Sequence, residues 1–162
     1  MTVAEGEVPK NGMARTRWYY FLALAGLVAV AATVRLWGIT RIGLWGDEYW
    51  ALYIATGRAR ALFELPVGTV LTGMPLMGFT NAPHWWHIWM GLGDSSHPPL
   101  YHLTLRAWVD LFGQSDWSIR SLSAILGVVA IIFFFDAVRL FRGPWCALLA
   151  AVMIAFSPIQ IY

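Results

Sequence analysis

Apolar positions gather into three long runs, and the runs set the element prediction. The first, Trp18 to Val34, holds no charged residue. With Leu36 and Trp37 it makes a helix of about 30 Å, the thickness of a bilayer's hydrocarbon core. Aromatic residues stand at both ends, Trp18, Tyr19 and Tyr20 at one and Trp37 at the other, where amphipathic rings sit at headgroup level. The second run, Ser121 to Phe135, extends through Asp136 to Leu140, with Arg120 and Arg139 as flanks able to snorkel. The third is free of charge from Gly143 to Tyr162. The pattern predicts an all-α membrane protein with three transmembrane helices, at 18–37, 118–140 and 145–162, the last truncated. A cleaved leader is the alternative for the first run, with Arg15 and Arg17 as its basic flank and Ala29–Ala31 as a small-residue site. That run, however, exceeds the roughly 7–15 apolar residues of such leaders, and two more runs follow it.

Lys and Arg placement orients the spans. Segment 1–17 carries Lys10, Arg15 and Arg17, and Arg139 and Arg142 flank or occupy the 141–144 turn, whereas 36–117 holds four Arg in 82 residues. The N-terminal segment 1–17 and the 141–144 turn are therefore expected on the cytosolic side, and 38–117 becomes a long extracytoplasmic loop. Within it, Leu100–Phe112 has apolar residues at 100, 103, 105, 108, 109, 111 and 112, with Arg106 and Asp110 paired at i,i+4 on the other face. This predicts an amphipathic helix lying at the membrane surface. Asp47–Ala59 predicts a similar interfacial helix, and Leu62–Gly93, rich in Gly, Pro, Met and Trp, predicts irregular structure with one short helix.

Composition sharpens the class. The chain is 59% hydrophobic and 12% charged, against about 45–50% and about 25% in soluble domains, which excludes a disordered segment and argues against an ordinary soluble globule. The net charge of +2, from 11 basic and 9 acidic residues without a long basic cluster, gives no nucleic-acid footprint. Cys146 stands alone, so neither an internal disulfide nor a cysteine metal site is expected. Ten Trp, six Tyr and nine Phe suit interfacial belts or sugar-stacking surfaces.

Three groups of residues carry candidate chemistry. Asp47 and Glu48 follow the first span; either they serve the start of the next helix as cap and charge, or they supply a general base or metal ligand at the membrane surface. His97-Pro98-Pro99 opens the Leu100 helix, and that helix start, with His97 and His102 as donors, would suit a phosphate. His84, Trp85, Trp86, His87 and Trp89 offer ring faces and donors, with Trp85, Trp86 and His87 the candidate sugar or acceptor contacts; anchoring of the loop in the interface is the alternative. His84 and His87 lack i,i+4 spacing and a nearby cysteine, so zinc is not expected. Asp136 and Arg139 read as a structural pair.

The order of these features, a basic N-terminus, a span, an outer loop opening with Asp-Glu, then HPPLYHLTLRAWVDLFGQSDWSIRSLSAILGVVAI and RLFRGPWCALLAAVMIAFSPIQIY, resembles the beginning of the GT-C membrane glycosyltransferases. Within them it is most similar to the protein O-mannosyltransferase (family 39) group and its bacterial relatives, including aminoarabinose transferases and Rgt-type enzymes. The likeness runs from Leu36 to Tyr162 and thins between Arg60 and Gly93. Its specific pieces are the Asp-Glu pair and HPPLY, supported by Phe112, Gly113, Ser115 and Arg120, and more weakly by Ser157-Pro158.

The resemblance implies transfer of a sugar from a polyprenyl-phosphate donor to an extracytoplasmic acceptor, with inversion. It places the catalytic carboxylate on Asp47, with Glu48 beside it, and the donor side along His97, Pro98 and the helix start. The resemblance gives the acceptor by class, as protein, glycolipid or polysaccharide, and the setting as the plasma (inner) membrane. A divalent metal stays open, since Asp47 and Glu48 suit a hard cation without completing a site. Two features depart from the group: Asp47 and His97 stand 50 residues apart, and the group's further spans, with an Arg soon after Ser-Pro, do not occur before Tyr162. The chain therefore reads as the N-terminal portion of a longer enzyme, inactive by itself. A different class, a non-catalytic three-span subunit or transporter fragment whose outer loop binds a partner, is the alternative. Polar residues gather outside the spans, whereas transporter sites lie near the midplane.

Overall fold

The structure, a computed structural model, describes residues 11–62, 66–70, 78–92 and 98–157. Among the described residues every regular element is helical: α1 (Asn11–Leu36), α2 (Gly46–Ala55), α3 (Ala59–Leu62), α4 (Trp86–Gly91), α5 (Pro99–Phe112), α6 (Asp116–Arg142) and α7 (Pro144–Ala155). His97, Lys10 and residues 158–162 of the expected third span lie outside the described residues. The chain divides into two units, one of residues 1–37 with 124–162 and one of 38–123.

The first unit contains α1 and α6 from Ala124 onward. α1 has 26 residues and α6 has 27, about 40 Å each at 1.5 Å per residue. Trp18–Leu36 and Asp116–Arg142 are long and apolar enough to cross a membrane, and only 17% and 22% of them is buried within the protein. The core helix of a soluble protein hides most of its apolar surface; here Leu22, Phe133 and Met153 are 59%, 71% and 70% exposed. Lipid is the solvent that makes such a surface stable.

α7 forms the described part of the expected third span, whose residues 158–162 lie outside the described residues. It has 12 residues, about 18 Å, so among the described residues two helices, not three, reach bilayer length. The apolar run continues past Ala155, but Ser157 precedes Pro158, and a residue before proline is driven out of the α region, which stops the helix. The expected 141–144 turn shrinks to Gly143, whose φ of 82° suits a left-handed helix terminator, with Pro144 at the first position of α7.

The core of this unit is set by small residues. Ala147, Ala151 and Ala155 recur every four residues on α7 and pack with Leu24, Ala31, Ile131 and Phe135. Such a stripe lets helices approach closely in lipid, where packing rather than water exclusion drives association. Tyr20 meets Trp145 edge to face at 5.2 Å, and Arg139 pairs with Asp136 at 2.5 Å.

The second unit packs α2 against α5 and the first two turns of α6. Leu52 and Ala55 meet Leu105, Val109, Ile119 and Leu122, and the expected Leu100 helix forms with its His102, Leu105 and Val109 face buried. Gly113 ends α5 with φ 86°, and the Ser115 hydroxyl accepts the Ser118 N–H at 3.1 Å, capping α6. Leu105 is fully buried, so Leu105→Ala is expected to cost about 2–5 kcal/mol, read as the shift in a denaturation midpoint in detergent micelles.

Two expectations about this unit change. The helix expected over Asp47–Ala59 stops at Ala55, because Thr56 Oγ1 bonds back to Tyr53 O at 2.8 Å and Gly57 takes φ 75°, after which α3 restarts. Gly57 has a reason to be glycine, since a Cβ there would lie 3.1 Å from His87 Cβ. Arg106 and Asp110 form the expected i,i+4 pair, but only Asp110 lies open to solvent. The Arg106 side chain is 15% exposed and turns inward, as described below.

Candidate functional site

The Asp-Glu pair opens α2, and its two carboxylates part ways. Glu48, three residues into the helix, reaches back so that its Oε2 accepts the Trp45 N–H at 3.0 Å. Both its oxygens are also taken by Arg120 from α6, with Nε to Oε1 at 2.6 Å and Nη2 to Oε2 at 2.7 Å. The same guanidinium donates through Nη1 to Ile39 O and Ile42 O, each at 2.6 Å, and through Nη2 to Gly43 O at 2.9 Å. All five N–H groups of Arg120 thus have an acceptor. The fork fastens the segment between α1 and α2 to α6, and the two side chains are only 15% and 21% exposed.

Asp47 is presented instead. It is exposed, and it has no hydrogen bond or ion pair among the described residues. It stands in the first turn of α2, beside backbone N–H groups that have no partner within the helix. Its direction is therefore fixed by Glu48 and Arg120, while its own lone pairs stay open. On the opposite side of α2, Tyr53 is 1% exposed, and burial pushes its phenol above the ordinary range, keeping it neutral.

The irregular segment before α4 is also held by arginines. Arg58 Nη1 donates to Gly78 O at 2.7 Å, and its Nη2 donates to Thr80 O and Asn81 O at 3.1 and 2.9 Å. Arg106 binds Asp110 at 3.0 Å, reaches Ala55 O and Pro83 O at 3.4 and 3.5 Å, and lies 5.3 Å over the Phe79 ring. A planar fork with five donors can gather carbonyls that no sheet or helix satisfies, which is how this loop holds its course without regular structure.

That loop delivers the aromatic cluster at α4. Trp85, Trp86 and Trp89 are 59%, 44% and 62% exposed. His84 stacks on Trp86 at 4.3 Å, so one face of Trp86 is covered. His87 is half-buried beside Gly57. At α5, Pro98 takes an extended conformation, φ −66° and ψ 138°, as the residue before the first helical position. His102 is turned into the interior, 3% exposed, with its ring edge-on to Tyr101.

The structure thus brings Glu48 to Arg120, which sequence reading treated as a span flank. The two are 72 residues apart, and no local spacing connects them. Among the described residues no three His, Cys, Asp or Glu side chains converge as a metal site would require.

Residues 96–162 match the family model for dolichyl-phosphate-mannose-protein mannosyltransferase. No curated protein and no solved structure matches the chain. The matched stretch contains α5, α6 and α7, with Pro98, His102 and Arg120, and is similar to membrane glycosyltransferases of the GT-C kind. Asp47, Glu48 and the tryptophans of α4 lie before it.

Proposed function

We propose that this chain is part of an integral-membrane glycosyltransferase that moves a sugar from a polyprenyl-phosphate carrier to an extracytoplasmic acceptor, with inversion at the anomeric carbon. The observation that carries the reading is the division of labour at the start of α2. Glu48 is consumed by Arg120, and Asp47, beside it, is exposed and uncommitted. The match of residues 96–162 to a mannosyltransferase family model supports the reaction class.

In this mechanism Asp47 accepts the proton of the acceptor hydroxyl as that oxygen attacks the anomeric carbon. The new C–O bond forms on the face opposite the carrier, and the sugar–phosphate C–O bond breaks. Polyprenyl phosphate leaves with the electron pair. A general base so placed contributes about 10²–10⁴ in rate. His97, Pro98 and the start of α5 serve the donor side, with His102 behind them. Trp85, Trp86 and His87 serve the sugar or the acceptor, as open indole faces suit pyranose rings. The N-terminus is cytosolic and 38–117 extracytoplasmic, in the plasma membrane.

Labelled sugar presented on polyprenyl phosphate to membranes holding the full-length protein tests this reading. Transfer to protein, glycolipid or polysaccharide is expected. Transfer from a nucleotide sugar with none from the lipid-linked donor would overturn it.

A further inference from the structure

The last turn of α1 holds an arginine that the mechanism does not use. Arg35 is 6% exposed, and its Nη1 donates to Ala31 O at 3.3 Å and to Ala155 O at 3.1 Å, the latter a terminal carbonyl of α7. Its Nε and Nη2, both buried, have no hydrogen-bond partner among the described residues. Those two nitrogens form one edge of the guanidinium, the edge that takes two oxygens of an oxyanion side by side. Arg120 shows that edge filled, by the two oxygens of Glu48. On Arg35 it is bare.

The Nε end of that edge borders a place where a side chain is missing. A Cβ on Gly127 of α6 would lie 3.3 Å from Arg35 Nε, so the glycine leaves beside the donor a gap of about the size of one heavy atom. A charged group in a membrane span with unmet donors is costly and marks a functional site. Among the described residues of this unit no free carboxylate answers it. Between Asn11 and Trp37 and between Ala124 and Tyr162 the sequence holds one acidic residue, Asp136, and that one is held by Arg139. Arg35 stands at the edge of the apolar window Trp18–Leu36, the depth at which lipid phosphates lie.

We infer that Arg35 and Gly127 form a site for a lipid-borne phosphate, whose oxygens lodge against Nε and Nη2 of Arg35 beside the bare backbone of Gly127. Small adjustment of the α1–α6 packing admits the oxygen, and the lipid's chains run along the outward apolar faces of the two helices. A bulk phospholipid and a lipid-linked sugar present the same phosphate oxyanion to the fork, and the test below separates them. The inference does not depend on glycosyl transfer, and its test reads binding alone.

The full chain is purified in detergent, washed, and weighed intact by native mass spectrometry, first as prepared and then after incubation with phosphatidylglycerol or undecaprenyl phosphate. The wild type is expected to hold one phosphate-bearing lipid. Gly127→Ala, which fills the gap and keeps the charge, and Arg35→Gln, which removes it, are each expected to weaken retention at least about tenfold, the loss of two charge-assisted bonds. Arg139→Gln is expected to retain the lipid. Displacement of phosphatidylglycerol by undecaprenyl phosphate identifies the lipid-linked donor as the occupant, and its absence identifies the phospholipid. A wild type without bound lipid, or a Gly127→Ala variant that retains it at wild-type strength, overturns the site.

Discussion

Asp47→Asn is expected to lower sugar transfer by about 10²–10⁴ while leaving the fold nearly unchanged, because the amide keeps the shape of the side chain and cannot take a proton. The stability cost is small for a reason visible in the structure. Asp47 is exposed and makes no hydrogen bond or ion pair among the described residues, so the substitution forfeits only its charge at the N-terminus of α2, about 0.3–1 kcal/mol. Helicity by circular dichroism and the melting midpoint should therefore stay close to wild type. Glu48→Gln gives the opposite pattern. It removes the carboxylate that Arg120 grips with two bonds, and the damage shows first in the melting midpoint. Transfer assays on the full-length protein in membranes, run beside melting curves, separate the two roles. Wild-type transfer by Asp47→Asn would remove that residue from the chemistry and leave the pair as an element of architecture.

How far the sequence foretold this arrangement depends on the range of the interaction. The α5 boundaries were readable because each end has a local cause: proline at the first helical position, an apolar face at helical spacing, and Gly113 after Phe112. α1 and the greater part of α6 were readable from unbroken apolarity. The end of α7 at Ala155 has no mark in hydropathy, which runs on unbroken toward Ser157-Pro158. The end of α2 was missed because Thr56 and Gly57 act through a backbone bond and a positive φ, which periodicity does not register. Long-range pairing was hidden altogether. Nothing in the spacing of Arg120 or Arg106 says that one gathers Ile39, Ile42 and Gly43 and the other Ala55 and Pro83. A charged residue one turn inside an apolar helix, as Arg120 is in α6, was the one available signal, since that position invites a partner. The candidate carboxylates were legible as a pair; their separation into a tethered and a presented member required the fold.

Arg120→Gln is expected to be the most damaging single change in the second unit. It strands the Glu48 carboxylate and the carbonyls of Ile39, Ile42 and Gly43. Removing one partner of a fully buried ion pair costs about 3–5 kcal/mol. Here the side chains retain 15% and 21% exposure, so water can reach the orphaned groups, and about 2–4 kcal/mol is the reasonable expectation. Arg120→Lys should recover only part of it, since an ammonium has three donors and no planar fork for two carboxylate oxygens. The double variant Arg120→Gln with Glu48→Gln should cost less than the sum of the single ones by about 1–3 kcal/mol, because it leaves no buried charge without its counter-charge. Melting midpoints in detergent give the cycle, and limited proteolysis between residues 38 and 45 reports whether that segment has come loose. Additive effects within about 0.5 kcal/mol would mean that the two side chains act independently, and that Asp47 owes its direction to something other than the fork. Coupling of the expected size, together with faster cleavage and transfer reduced as strongly in Arg120→Gln as in Asp47→Asn, would mean that an arginine that does no proton chemistry governs the reaction by holding the base in place.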